Sequence, residues 1–220
     1  MKLECDEPLL NFALKSNLRH YIVASNMDQK QVGMTSWAYA TTPGWKPGGE
    51  ARAALEAAVV RVCPCMIAQG VANTIFSYAK LGRSPGAVAR AALEAAVLRV
   101  GPGMNALEVS NTLWSFSKLG LLMPGVEAWA ALEAAMVRVG PGMSVQAVGN
   151  TIFAFATLGL MPGPDARAAP EAAVDRVGPT MNPQELSNTL WRFITLDETG
   201  LLLTSTRCPV ETHLTATTPV

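Results

Sequence analysis

The chain has 220 residues; half are hydrophobic, only 6% are aromatic, and 17 Lys and Arg balance 17 Asp and Glu. A zero net charge excludes a uniformly basic nucleic-acid-coating protein, and four cysteines without regular spacing exclude a disulfide framework. No apolar run approaches the roughly 20 residues of a bilayer-spanning helix, so no membrane partner is expected, and the Ala-rich composition favours closely packed helices over sheets.

Residues 1–26 contain Glu4, Asp6 and Glu7 and no long apolar core, so they read as a flank without signal or transit peptide. Val23, one repeat before Val62, marks this flank as a remnant helix of an earlier unit. From residue 27 the chain repeats itself. Asn73-Thr74-Ile75-Phe76 returns as Asn111-Thr112-Leu113-Trp114, Asn150-Thr151-Ile152-Phe153 and Asn188-Thr189-Leu190-Trp191, and Met34-Thr35-Ser36-Trp37 is a diverged first copy. Between these copies lies a second block, Ala54-Leu55-Glu56-Ala57-Ala58-Val59, whose counterparts start at Ala92, Ala131 and Ala169.

Each block predicts a helix. In the second, Leu93, Ala96, Val97 and Val100 form an i, i+3, i+4, i+7 stripe, and the run stops at Gly101-Pro102-Gly103, where Gly is expected to supply a left-handed cap. The first block opens with capping chemistry: Asp28 with Gln31, Asn105 with Glu108, and Asn182 with Pro183 and Glu185. It closes at Leu81-Gly82, Leu119-Gly120 and Leu158-Gly159. Pro170, standing where other copies have Leu, predicts a kinked or shortened helix. One hairpin of two such helices cannot bury its apolar faces alone, whereas a stack can. The expectation is therefore an all-α fold, an α-solenoid of about four to five stacked two-helix repeats of 38–39 residues over 27–196, with a disordered Thr-rich tail at 197–220.

A helical wheel of the first helix places Val109, Leu113 and Phe116 inward and Glu108, Asn111, Ser115 and Lys118 opposite. The matching stripes are Asn73, Ser77 and Lys80; Asn150, Ala154 and Thr157; and Asn188, Arg192 and Thr195. The constant Asn reads either as an inter-repeat hydrogen-bond ladder or as a ligand contact; being invariant, it does not discriminate bases. Phe76, Trp114, Phe153 and Trp191 read as inter-repeat core or as base-stacking platforms. Arg61, Arg99, Arg138 and Arg176 close successive second helices, where a cation favours the helix dipole and a row of four could also track a phosphate backbone. Cys63-Pro64-Cys65 sits in a turn slot without further ligands at metal spacing. His20 and His213 are isolated, and no nucleophile–base set or phosphate-binding Gly loop occurs, so the expectation is no enzyme, no cofactor, no metal and no small-molecule substrate.

The phrase Val109-Ser110-Asn111-Thr112-Leu113-Trp114-Ser115-Phe116-Ser117-Lys118-Leu119-Gly120, in a repeat of this length, resembles the octotricopeptide-repeat proteins and the related Leu-rich region of FAST-kinase-like, RAP-domain proteins. That resemblance covers 27–196. It implies single-stranded RNA binding in a mitochondrion or chloroplast, in transcript processing, stability or translation. The contacts it suggests are the Asn/Ser/Lys stripe with Thr157, Arg192 and the four arginines. A protein-interaction scaffold, or a truncated fragment of a longer array, is the alternative.

Overall fold

A computed structural model describes residues 27–42, 48–119, 124–158 and 162–198, with backbone alone for 191–198. The expectations for residues 1–26 and 199–220, and for the side chains of Trp191, Arg192 and Thr195, fall outside the described residues.

The anticipated capping boxes start three of the first helices. Asp28 Oδ1 accepts from the Gln31 amide at 2.8 Å while Gln31 Oε1 accepts from the Asp28 amide at 2.9 Å. Asn105 with Glu108 and Asn182 with Glu185 repeat the reciprocal pair. Each box satisfies two amides that a helix start leaves without partners. The resulting helices, in chain order, are α1 (Gln29–Thr41), α2 (Gly49–Val62), α3 (Ala68–Leu81), α4 (Ala87–Val100), α5 (Ala106–Leu119), α6 (Val126–Val139), α7 (Val145–Leu158), α8 (Pro164–Val177) and α9 (Pro183–Glu198). Odd-numbered helices are the first of each pair and even-numbered ones the second.

The protein is an all-α solenoid. Odd helices stack on odd helices and even on even, giving two layers, and the odd layer is the more closely packed. Val32, Val71, Val109 and Val148, at equivalent positions, are fully buried, as are Met66, Met104 and Met143 in the turns between pairs. Among the described residues no helix is long and apolar enough to cross a membrane.

Two local expectations are corrected. Gly101, Gly140 and Gly178 do not take up a left-handed cap; their φ values of −47°, −46° and −50° are right-handed, and each opens a short 3-10 turn. At Gly140 the next even helix comes close enough to demand glycine: a Cβ there would lie 2.7 Å from the Ala169 Cβ and 3.2 Å from its backbone, whereas a Cβ on Gly178 would meet nothing within 4 Å. The left-handed cap occurs instead at Gly82, φ +62°, after α3. Nor is α8 shortened at Pro170. It runs the same 14 residues as α4 and α6, with the buried Pro170 ring in the slot that Leu93 and Leu132 fill elsewhere. The lost amide removes one hydrogen bond near the middle of the helix, and the packing of α8 on α6 and α7 holds the rest.

Candidate functional site

Inter-repeat hydrogen bonds use up much of the polar repertoire. Arg61 donates to the Met27 carbonyl at 2.6 Å, and Arg99 to the carbonyls of Cys63 and Met66 at 2.9 and 2.7 Å. Arg138 and Arg176 donate likewise to Met104 and Met143. The arginine row therefore clamps each even helix to the turn of the preceding unit, where a charged donor meets turn carbonyls that have a lone pair to spare. The glutamates of the Ala-rich block form a second set of clamps: Glu56 accepts from the Gly86 amide and Glu133 from the Gly163 amide at 2.8 Å, each at the start of the following even helix. Arg90–Glu94 at 2.8 Å and Arg167–Glu171 at 3.7 Å are the expected i, i+4 pairs.

The candidate stripe divides in two. Ser77 and Ser115 are buried at 1% and 0% exposure, and their hydroxyls donate to the Asn73 and Asn111 carbonyls at 2.6 Å. Ala154, at the same position, is fully buried. The expectation that these side chains face a ligand does not survive. A helix inside an array packs on both neighbours as well as on the second layer, so its wheel has three covered sides rather than one.

What remains open is narrower and rotated towards the aromatic side. On α5 it comprises Leu107, Asn111, Trp114 and Lys118, at i, i+4, i+7 and i+11, all exposed or half-buried. Its counterparts are Lys30, Met34, Trp37 and Thr41 on α1; Gln69, Asn73, Phe76 and Lys80 on α3; Gln146, Asn150, Phe153 and Thr157 on α7. On α9, Gln184 and Asn188 are exposed. These positions carry Lys30, Lys80 and Lys118 and no carboxylate, although the whole chain is neutral.

The side chains of this face interlock from unit to unit. The Phe76 and Trp114 ring centroids are 5.4 Å apart at 35°. Lys80 Nζ lies 5.4 Å from the Phe76 centroid and 5.3 Å from that of Trp114. Lys118 Nζ lies 5.7 Å from Trp114 and 4.5 Å from Phe153. Each ammonium thus sits against aromatic rings of two successive units, attracted by their negative faces. Beside this row Asn150 Nδ2 donates to Asn111 Oδ1 at 3.4 Å, a long bond that joins two members of the Asn row while leaving both side chains half-buried. Phe76, Trp114 and Phe153, read from the sequence as inter-repeat core or as stacking platforms, are half-buried, and Phe76 packs on Trp114 of the next unit.

Cys63 is buried and its thiol is pushed up to about 11, burial outweighing the lowering effect of Arg99, which holds it as an unreactive thiol. No protein-family model matches the chain, and no curated protein matches it.

Proposed function

We propose that this protein is a non-catalytic, single-stranded RNA-binding helical-repeat protein, of the organellar kind that its octotricopeptide-like repeat suggests. The observation that carries this reading is the outer face of the odd layer. There a row of aromatic rings, interleaved with Lys80 and Lys118 and flanked by Asn73, Asn111, Asn150 and Asn188, repeats once per unit with no carboxylate among them. Ring faces take bases of any identity, ammonium groups take phosphate, and Asn amides donate and accept at base edges. The lysines, already held over the rings, lose little freedom on meeting a phosphate. Arg61, Arg99, Arg138 and Arg176, engaged with carbonyls of the preceding unit, serve as scaffold in this reading.

Titration with single-stranded RNA over a salt series tests it. Removing one phosphate contact from a single-stranded complex lowers the log–log salt slope by about 0.7, so Lys80→Gln with Lys118→Gln should flatten it by about 1.4. Trp114→Ala should weaken binding by about 1–3 kcal/mol, the range of one base–aromatic stack. Affinity indifferent to salt and to all three substitutions would defeat the reading.

The second reading, a protein-interaction scaffold, is favoured by exposed apolar side chains on the other layer, Leu98 at 47% and Val137 at 44%, at equivalent positions of α4 and α6. Leu98→Glu with Val137→Glu would abolish a partner's binding there and leave RNA binding intact.

A further inference from the structure

The odd helices at the start of the array, α1 and α3, depart from α5 and α7 at two interior positions. Where α3, α5 and α7 carry Ile75, Leu113 and Ile152, each 1–2% exposed, α1 carries Ser36. Where α5 and α7 carry buried Phe116 and Phe155, α3 carries Tyr78. Replacing a branched aliphatic side chain by a hydroxymethyl group takes three carbons out of a close-packed layer and puts one oxygen in, and close-packed interiors do not fill such a gap by relaxation alone. Ser36 and Tyr78 both line a cleft of about 410 Å³ between α1, α2, α3 and the start of α4, with Arg52, Glu56, Arg83 and Ser84 among its other walls. That volume lies within the ordinary range of small-molecule sites, about 300–1,000 Å³.

Its two guanidiniums are not spoken for. Neither Arg52 nor Arg83 makes a hydrogen bond or ion pair through its guanidinium among the described residues. The carboxylate that accompanies them, Glu56, is already committed to the Gly86 amide. Burial, with Glu56 and Cys63 beside it, raises the Tyr78 phenol well above its ordinary value, and Arg52 only partly offsets this. Tyr78 therefore stays a hydrogen-bond donor at physiological pH. Two guanidiniums and four hydroxyls, of which Ser77 is engaged with the Asn73 carbonyl, form a donor-rich, net cationic lining, with Leu55 and Leu81 supplying an apolar wall.

We propose that this cleft binds a small phosphate ester of mononucleotide size, with Arg52 and Arg83 on the phosphate, the Tyr78 and Ser36 hydroxyls donating to its oxygens or sugar, and the leucine wall against its apolar part. Guanidiniums pair bidentately with phosphate, and the aliphatic wall accommodates a ring. The site is separate from the aromatic row and does not depend on RNA binding by that row. A free mononucleotide and the phosphorylated end of a strand present the same chemistry.

Calorimetric titration of the full chain with 5′-AMP, inorganic phosphate, adenosine and a 5′-phosphorylated dinucleotide tests the proposal and separates its sources. Binding of 5′-AMP at least ten times tighter than adenosine is expected; the dinucleotide arm decides between a free ester and a strand end. Ser36→Leu restores the residue type of the other units, so it should raise the unfolding midpoint and weaken 5′-AMP binding at least tenfold. Arg83→Gln, at an exposed position that leaves the fold untouched, should weaken it at least tenfold as well. Trp114→Ala should leave it unchanged. No binding of any phosphate ester, equal binding of adenosine, or full 5′-AMP affinity in both cleft variants would overturn the site.

Discussion

Thr74, Thr112 and Thr151 occupy one position of the repeat, and all three are fully buried. They are not equivalent in energy. Thr74 Oγ1 donates to the Gly70 carbonyl at 2.8 Å, whereas among the described residues the Thr112 and Thr151 hydroxyls have no hydrogen-bond partner. A buried hydroxyl without a partner costs on the order of 1–3 kcal/mol, and a made bond contributes about 1 kcal/mol. The same substitution should therefore have opposite signs in neighbouring units. Thr112→Val is expected to raise the urea midpoint, by about 1 kcal/mol in stability, and Thr74→Val to lower it by a similar amount. Equal effects from the two would mean that the Thr112 hydroxyl finds a partner after all. The Asn-Thr pair common to both units does not separate these threonines.

At the scale of the element, helix type, order and most boundaries were legible in the residues themselves. The capping boxes at Asp28, Asn105 and Asn182 and the Gly82 terminus depend on neighbours within four residues, and local chemistry is what a single sequence displays. The open face of the odd helices was not legible in the same way. A wheel orders residues around one axis but does not say how many neighbours surround it; Ser77 and Ser115 are covered by adjacent odd helices that the wheel does not contain. The Gly-Pro-Gly turns were misread for a related reason. The first glycine of the second such turn, Gly140, serves a helix 29 residues later in the chain, as its approach to Ala169 shows. That approach makes a clean test. Gly140→Ala should cost about 1–3 kcal/mol, the range for overpacking, because the added Cβ meets Ala169 on both side chain and backbone. Gly142→Ala, two residues on with nothing within 4 Å of the new methyl, should be near neutral or slightly stabilising. Matched losses at the two sites, read by chemical denaturation, would show that the turn conformation and not the helix approach demands glycine.

A stack held by nearest-neighbour contacts has no single core, and its stability is a sum of unit and interface contributions. The clamps seen here, Arg99 to Cys63 and Met66, Glu133 to Gly163, and Lys118 between Trp114 and Phe153, all join successive units and none spans two. Cooperativity must therefore pass along the array one interface at a time. Equivalent slots differ in exposure along the described array. Leu186 and Leu190 on α9 are 42% and 52% exposed, while their counterparts Val148 and Ile152 on α7 are 0% and 1% exposed. Truncating a buried aliphatic side chain costs about 2–5 kcal/mol, and an exposed one loses only part of its transfer energy. Ile152→Ala should thus lower stability by about 2–5 kcal/mol and Leu190→Ala by under about 1 kcal/mol, though both fill the same slot of the repeat. Amide exchange should show the same gradient, slow through α3, α5 and α7 and fast in α9, because local opening needs to break one interface at the end and two in the middle. With Ile152→Ala, the fast-exchanging region should spread from α9 into α7 and α8 while α3 and α4 keep their protection. Uniform loss of protection along the chain would instead mean that the units unfold as one block, and the nearest-neighbour account of this array would fall with it.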